Sequence, residues 1–243
     1  MGPMQSQVTP AAWTVVVPLK PLIRAKSRLA GAVPGAARPG FALAFAQDTV
    51  GAVIACPAVR RVVVVTDDPL AAARLAALGA RTVPDAPGAG LNAALRYGAA
   101  RVRAADPDTA VAALNADLPA LRPAELARVL HAAARFPRAF LPDAADIGTT
   151  LLTALPPSPL SPAFGGPSRA RHRASGAVEI TLSGVDSVRR DVDTAADLRT
   201  ARDLGLGRHT ATLLAGPVPG RPPREGSPLR GAHGWPDTRC GGE

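Results

Sequence analysis

In 243 residues the chain has two cysteines, two lysines and only 3% aromatics, and no apolar run approaches the roughly 18 to 20 residues that span a bilayer. Each shortage excludes something. Cys56 and Cys240 lie far apart, one late in an apolar helix and one in a polar tail, so neither a disulfide nor a thiolate metal site is expected. Few aromatics means no stacking platform for single-stranded nucleic acid. The arginines are scattered over every expected element, so the net charge of +9 reads as compositional drift toward Ala, Arg, Pro and Gly rather than as a nucleic-acid footprint. The opening segment, MGPMQSQVTP, has neither the basic start nor the apolar stretch of an export signal, so the expectation is a cytoplasmic protein with no membrane partner. Neither a P-loop nor a dinucleotide-binding glycine fingerprint is present.

The scarcity of lysine is itself informative. Of 28 basic residues, all but Lys20 and Lys26 are arginine, and these two follow the first expected strand closely. Two compact ammonium groups in one loop suggest a local need for point charges, chance clustering being the alternative.

The pattern along the chain alternates strand and helix. Strands are expected over 13–17, 61–65, 80–83, 110–114 and 138–141, and helices over 38–55, 69–78, 91–105 and 123–135. The valine-rich 61–65 reads as a strand buried on both faces, which favours parallel pairing and right-handed crossovers. After Pro142 the order changes, with short strands expected over 147–154, 178–182 and 188–192, a loop over 156–177, and a helix over 194–204. The last 33 residues hold six prolines and seven glycines, and a flexible N-terminus over 1–12, one domain over 13–210 and a disordered tail over 211–243 are expected.

In an open parallel sheet, ligands bind beyond the carboxyl ends of the strands, where the strand order switches. Lys20 and Lys26 follow the first strand, Asp67 and Asp68 the second, and Asp117 the fourth. Asp117 heads an Asp-Leu-Pro turn that presents its carboxylate at the sheet edge, although a turn former or helix cap has the same look. Asp191-Val192-Asp193 places two carboxylates on one side of an extended segment. Such a pair repels itself unless a cation is near, and hard oxygen ligands in low number suit Mg²⁺. The alternative is that Asp193 caps the following helix while Asp191 pairs with Arg189 or Arg190. The segment from Phe164 to Arg173 carries Gly165, Gly166, Ser168, Arg169 and Arg171, a composition that suits an anion. Gly148-Thr149-Thr150 is a second such segment. Gly90-Leu91-Asn92 serves equally as a helix cap or as a contact to a base or ribose. His172 reads as a loop residue rather than a ligand or base.

With these residues in view, the chain resembles the phosphoenolpyruvate or 2-phospho-L-lactate guanylyltransferase family of coenzyme F-420 biosynthesis. The segments that carry the likeness are VVVPLKPLIRAKSRLA, VVVVTDD, GLNAAL, NADLPAL, GTTLL, FGGPS with His172 after it, and RRDVDTAADLRTARDLG. The resemblance implies a three-layer, seven-stranded, nucleotide-diphospho-sugar-transferase-like α/β fold with a mixed, mainly parallel sheet. It implies Mg²⁺-dependent transfer of GMP from GTP, with a downstream transferase of the same pathway as a partner. Carried over residue by residue, Asp117, Asp191 and Asp193 match the metal carboxylates, Thr150, Gly165 and Ser168 match the phosphoenolpyruvate contacts, and Leu19, Lys20, Lys26, Arg28 and Asn92 match the segments that hold GTP. Asp117 and Lys26 then carry the catalytic roles. One departure stands out: Asp146 and Ile147 occupy the places where the family has Gly-Thr, which sets a carboxylate beside an anionic substrate.

Overall fold

The computed structural model of the protein describes residues 12–24 and 37–216. Its strands are β1 (Trp13–Pro18), β2 (Val59–Val65), β3 (Arg81–Val83), β4 (Ala110–Leu114), β5 (Arg138–Pro142), β6 (Thr149–Ala154) and β7 (Val178–Glu179). Its helices are α1 (Arg38–Ile54), α2 (Pro69–Ala76), α3 (Leu91–Ala105), α4 (Pro123–Ala133), α5 (Ser168–Ala174), α6 (Asp186–Arg189), α7 (Ala195–Leu204) and α8 (Arg208–Ala215).

The seven strands form one sheet in the order β3-β2-β1-β4-β6-β5-β7. Only β6 runs against its neighbours, pairing antiparallel with both β4 and β5. Because β1 pairs with β2 on one side and β4 on the other, the chain reverses its direction of growth between β1 and β4. That is the topological switch at which α/β sheets bind ligands.

Alternation along the strands builds two cores. Trp13, Val15 and Val17 of β1 face a layer containing α1, α2 and α4, with Val50, Leu75 and Leu130 against them. Val16, Val63 and Val65 face α3, with Leu95 and Val102. The result is the expected three-layer arrangement with a mixed, mainly parallel sheet. Close approach on the α3 side requires a glycine: a Cβ on Gly98 would stand 2.6 Å from Val16 Cγ1 and 2.8 Å from Val65 Cγ2.

The first four strand-helix units fold as expected, but the last third departs in four places. The segment 188–192, expected as a strand, is instead the end of α6 followed by irregular chain. The Glu125 carboxylate takes both the N–H and the hydroxyl of Ser187, which winds this stretch against α4. The expected loop over 156–177 contains α5. β7 covers two residues rather than five. The chain also stays helical past 210, because Asp48 of α1 accepts the His209 and Thr210 N–H groups at 2.9 and 2.8 Å and caps α8. Residues 1–11 and the remainder of the expected tail from 217 onward lie outside the described residues.

Candidate active site

The parallel register sets Val16 beside Ala113, so the chain leaving β1 toward Lys20 runs beside the chain leaving β4 toward Asp117. β6 enters this edge from the opposite direction. Leu114 pairs with Leu151, and the Asn115 N–H reaches the Thr150 carbonyl at 3.0 Å. An antiparallel strand therefore begins where the parallel ones end, and Thr150 arrives beside the Asp117 turn.

The Asp117 turn is fixed from below. Thr49, fully buried on α1, accepts the Leu118 N–H at 3.0 Å, and its hydroxyl lies 3.2 Å from the Ala116 carbonyl. The same hydroxyl lies 2.8 Å from the Phe45 carbonyl one turn back in α1, so its hold on the turn is the bond it accepts from Leu118. From the other side the Val192 N–H donates to the Asp117 carbonyl at 3.0 Å. Val192 is the buried residue between Asp191 and Asp193 and packs with Phe41, Phe45 and Leu198, so this one bond brings the chain bearing all three aspartates together. Among the described residues no three acidic, histidine or cysteine side chains converge tightly enough to hold a metal by themselves. Asp193 is not the cap of α7. Thr194 fills that role in a reciprocal pair with Asp197, which removes one of the two alternatives to a ligand role for the acidic pair. Arg190 reaches Asp197 at 3.7 Å, and Arg189 reaches Asp146 at 2.8 Å.

The opposite wall is the loop before α5. Asn92 at the start of α3 grips the Phe164 backbone in both directions: its amide donates to the carbonyl at 3.1 Å and its oxygen accepts the N–H at 2.8 Å. Both ends of its carboxamide are engaged there, so Asn92 joins the site through the loop it holds. Gly165 follows with φ +93°, a conformation closed to most residues, and nothing lies within 4 Å of where its Cβ would be. Ser168 is buried at the first turn of α5, and the next N–H, of Arg169, donates to the Ile147 carbonyl at 3.1 Å.

His172, expected as a loop residue, instead lies in α5 and braces this wall. It is fully buried, its Nε2 accepts the Ala163 N–H at 2.9 Å, and its Nδ1 stands 3.0 Å from the Thr149 hydroxyl. An accepting Nε2 requires the proton on Nδ1, so the ring is neutral. Burial, with Arg138 and Arg171 nearby, pushes its pKa down to about 4.

Asp146 is held in place and paired with arginine. Its φ of +60° is the left-handed region that glycine favours and that Asp tolerates better than most residues. Its carboxylate is compensated by Arg189 at 2.8 Å and Arg169 at 3.4 Å.

On the nucleotide side, the Leu19 N–H donates to the Val65 carbonyl at 2.9 Å, and Lys20 is exposed just beyond it. Asp68 shapes this segment. One of its oxygens accepts the Leu22 N–H at 2.9 Å while the other caps α2 through Ala71 at 3.0 Å. A concavity of about 280 Å³ lined by Thr66, Asp67, Asp68 and Thr82 opens at the same edge. Lys26 and Arg28 lie outside the described residues. Cys56 is buried and unbonded, and burial raises its thiol pKa, so it offers no nucleophile.

A switch-point edge carrying carboxylates, an exposed lysine and a glycine-serine loop is the layout of a nucleotidyltransferase, and residues 44–173 match the MobA-like NTP transferase domain. A nucleotide-diphospho-sugar transferase from Desulfovibrio desulfuricans G20 superposes with a TM-score of 0.61 at 18% identity, covering 84% of this chain and 95% of that one, a likeness of fold. The chain is 68% identical over 203 residues to the phosphoenolpyruvate guanylyltransferase of Streptomyces coelicolor, covering 84% of this chain and 96% of that protein. It is 59% identical over 203 residues to the protein of that name from Thermomonospora curvata, covering 84% and 89%. The chain belongs to this phosphoenolpyruvate guanylyltransferase family. No described helix is long and apolar enough to cross a membrane.

Proposed function

We propose that the protein transfers GMP from GTP to phosphoenolpyruvate, or to 2-phospho-L-lactate, in coenzyme F-420 biosynthesis in the cytoplasm, giving enolpyruvoyl-2-diphospho-5'-guanosine from the former and releasing pyrophosphate. A downstream transferase of that pathway would consume the product. The observation that carries the reading is 68% identity over nearly the whole length of a relative bearing that name.

Asp117, Asp191 and Asp193 are the residues to hold Mg²⁺. The donor chemistry fits, because Mg²⁺ ordinarily takes one or two protein carboxylates and completes its shell with water and substrate phosphates. A site finished by the substrate also needs no preformed three-carboxylate cluster. When bound, the ion would neutralise charge on the reacting phosphates. Lys20, with Lys26 and Arg28 of the same segment, holds the triphosphate and meets the charge that grows on the departing pyrophosphate. Thr150, Gly165 and Ser168 hold the acceptor so that its phosphate oxygen attacks the α-phosphorus in line. That oxygen is already ionised, so no general base is required, and the protein's contribution is position and charge.

Purified protein with GTP, Mg²⁺ and phosphoenolpyruvate is expected to release pyrophosphate, and Asp117→Asn to reduce the rate at least 100-fold, on the order of removing one electrostatic contact from a transition state, with the melting temperature retained. Release at the wild-type rate by Asp117→Asn would rule out its assignment. No release from the wild-type protein with either acid would rule out the activity.

A further inference from the structure

Two polar atoms on this edge are buried without a hydrogen-bond partner: Oγ1 of Thr150 and Nε of Arg189. Most buried polar groups in folded proteins are satisfied, so two orphans on neighbouring elements at the edge of the site point to a place for a ligand. Thr150 stands on β6 and Arg189 ends α6, and these two elements pack against each other. The guanidinium is only partly used. Its Nη2 donates to the Asp143 carbonyl and to Asp146 Oδ1, both at 2.8 Å, while Nη1 and Nε donate to no described residue. Arg169, the other cation near Asp146, is already committed through a two-point grip on Glu179 at 3.0 and 2.7 Å. The guanidinium with N–H groups to spare is therefore that of Arg189, and a bidentate grip on a ligand would use Nη2 in place of Asp146.

A guanidinium with unused N–H groups, on an element packed against the strand that carries an unsatisfied hydroxyl, suits a carboxylate ligand. Its present occupant is itself a carboxylate: Asp146, more than half exposed and held at a glycine-like φ of +60°. Arg189 lies two residues before Asp191, so an acid gripped there would have its carboxylate next to the acidic segment and its phosphate free to turn toward the nucleotide.

We propose that Arg189, with the Thr150 hydroxyl, binds the carboxylate of the acceptor acid, and that Asp146 is a resident carboxylate competing for the same guanidinium and weakening acceptor binding. The proposal rests on the guanylyltransferase reading and deepens it. The ligand class it defines is a small phosphorylated acid with a carboxylate; a simple alkyl phosphate lacks the group Arg189 recognises. Asp146→Asn keeps the shape of the side chain and removes the competing charge. Arg189→Lys keeps the positive charge and removes the fork.

The test is calorimetric binding of phosphoenolpyruvate to full-length protein loaded with a non-hydrolysable GTP analogue and Mg²⁺, with glycerol 2-phosphate as the carboxylate-free control. Asp146→Asn is expected to tighten phosphoenolpyruvate binding severalfold and Arg189→Lys to weaken it about tenfold, a change of about 1.4 kcal/mol. Affinity for the GTP analogue and for glycerol 2-phosphate should move little in either variant. Weaker phosphoenolpyruvate binding in Asp146→Asn, unchanged binding in Arg189→Lys, or equal losses for both phosphates would overturn the proposal, as would wild-type protein that binds no phosphoenolpyruvate. Binding is read without turnover, so pyrophosphate release by the wild-type protein tests guanylyl transfer separately.

Discussion

At the scale of single residues, the site depends on a side chain that carries no charge. Thr49 is buried in α1, and its hydroxyl accepts the N–H of Leu118, the residue after Asp117. Thr49→Val keeps the volume but leaves the Leu118 N–H without its acceptor, which costs about 1 to 3 kcal/mol. It should also lower the rate of pyrophosphate release, because the Asp117 carboxylate loses its fixed height above the sheet. Urea unfolding and the pyrophosphate assay read the two effects, and a variant with wild-type turnover would show that the Asp117 turn holds itself. Sequence alone had no means of finding Thr49. A threonine inside an apolar helix looks like any other β-branched residue until its partner 69 positions away is known. Asp117 was legible for the opposite reason, since Asp-Leu-Pro after an apolar strand declares its turn locally.

At the scale of elements, legibility followed length and local signalling. β2 declared itself through its valines, and α2 through Pro69 at its first turn and Gly79 just beyond its end. α6 and α8 did not, because each exists through distant contacts: Glu125 winds the chain at Ser187, and Asp48 caps α8 from 161 residues away. Asp191-Val192-Asp193 reads as two carboxylates on one side of an extended segment with Val192 on the other; Val192 is buried, yet the segment joins no strand. Period-two patterning reports burial, not sheet pairing. The Asp48 cap can be tested directly. Asp48→Ala removes the acceptor for two N–H groups at a helix start, which should cost about 1 to 2 kcal/mol. Amides of α8 should exchange faster with solvent while those of β1 and β4 keep their protection. Equal protection of α8 in the variant would mean that packing on α1 suffices without the cap.

At the scale of the whole molecule, the groups that brace the α5 wall of the site also set how the fold responds to acid. His172 joins α5, the Ala163 backbone and β6 only while neutral, because Nε2 must accept the Ala163 N–H. An unfolded histidine takes up a proton near pH 6.5, whereas His172 in the fold does so only near a pKa of about 4. Between those values the unfolded chain binds the extra proton, so stability rises with pH across this window and is level with respect to His172 above it. The difference is worth up to roughly 3 kcal/mol. Glu179 contributes at lower pH. The hydrogen bond from Arg169, with Arg173 beside it, holds its carboxyl below the ordinary value, and that stability is lost as pH falls through the depressed value. Both groups brace the wall formed by α5, β6 and β7, so acid should loosen that side before the β1-β2-β3 side. The urea midpoint of the wild-type protein is expected to fall as pH drops from 6.5 to 4, and that of His172→Asn, whatever its starting stability, to fall less steeply. Parallel slopes for the two proteins would show that His172 is charged inside the fold, contrary to its hydrogen bonds.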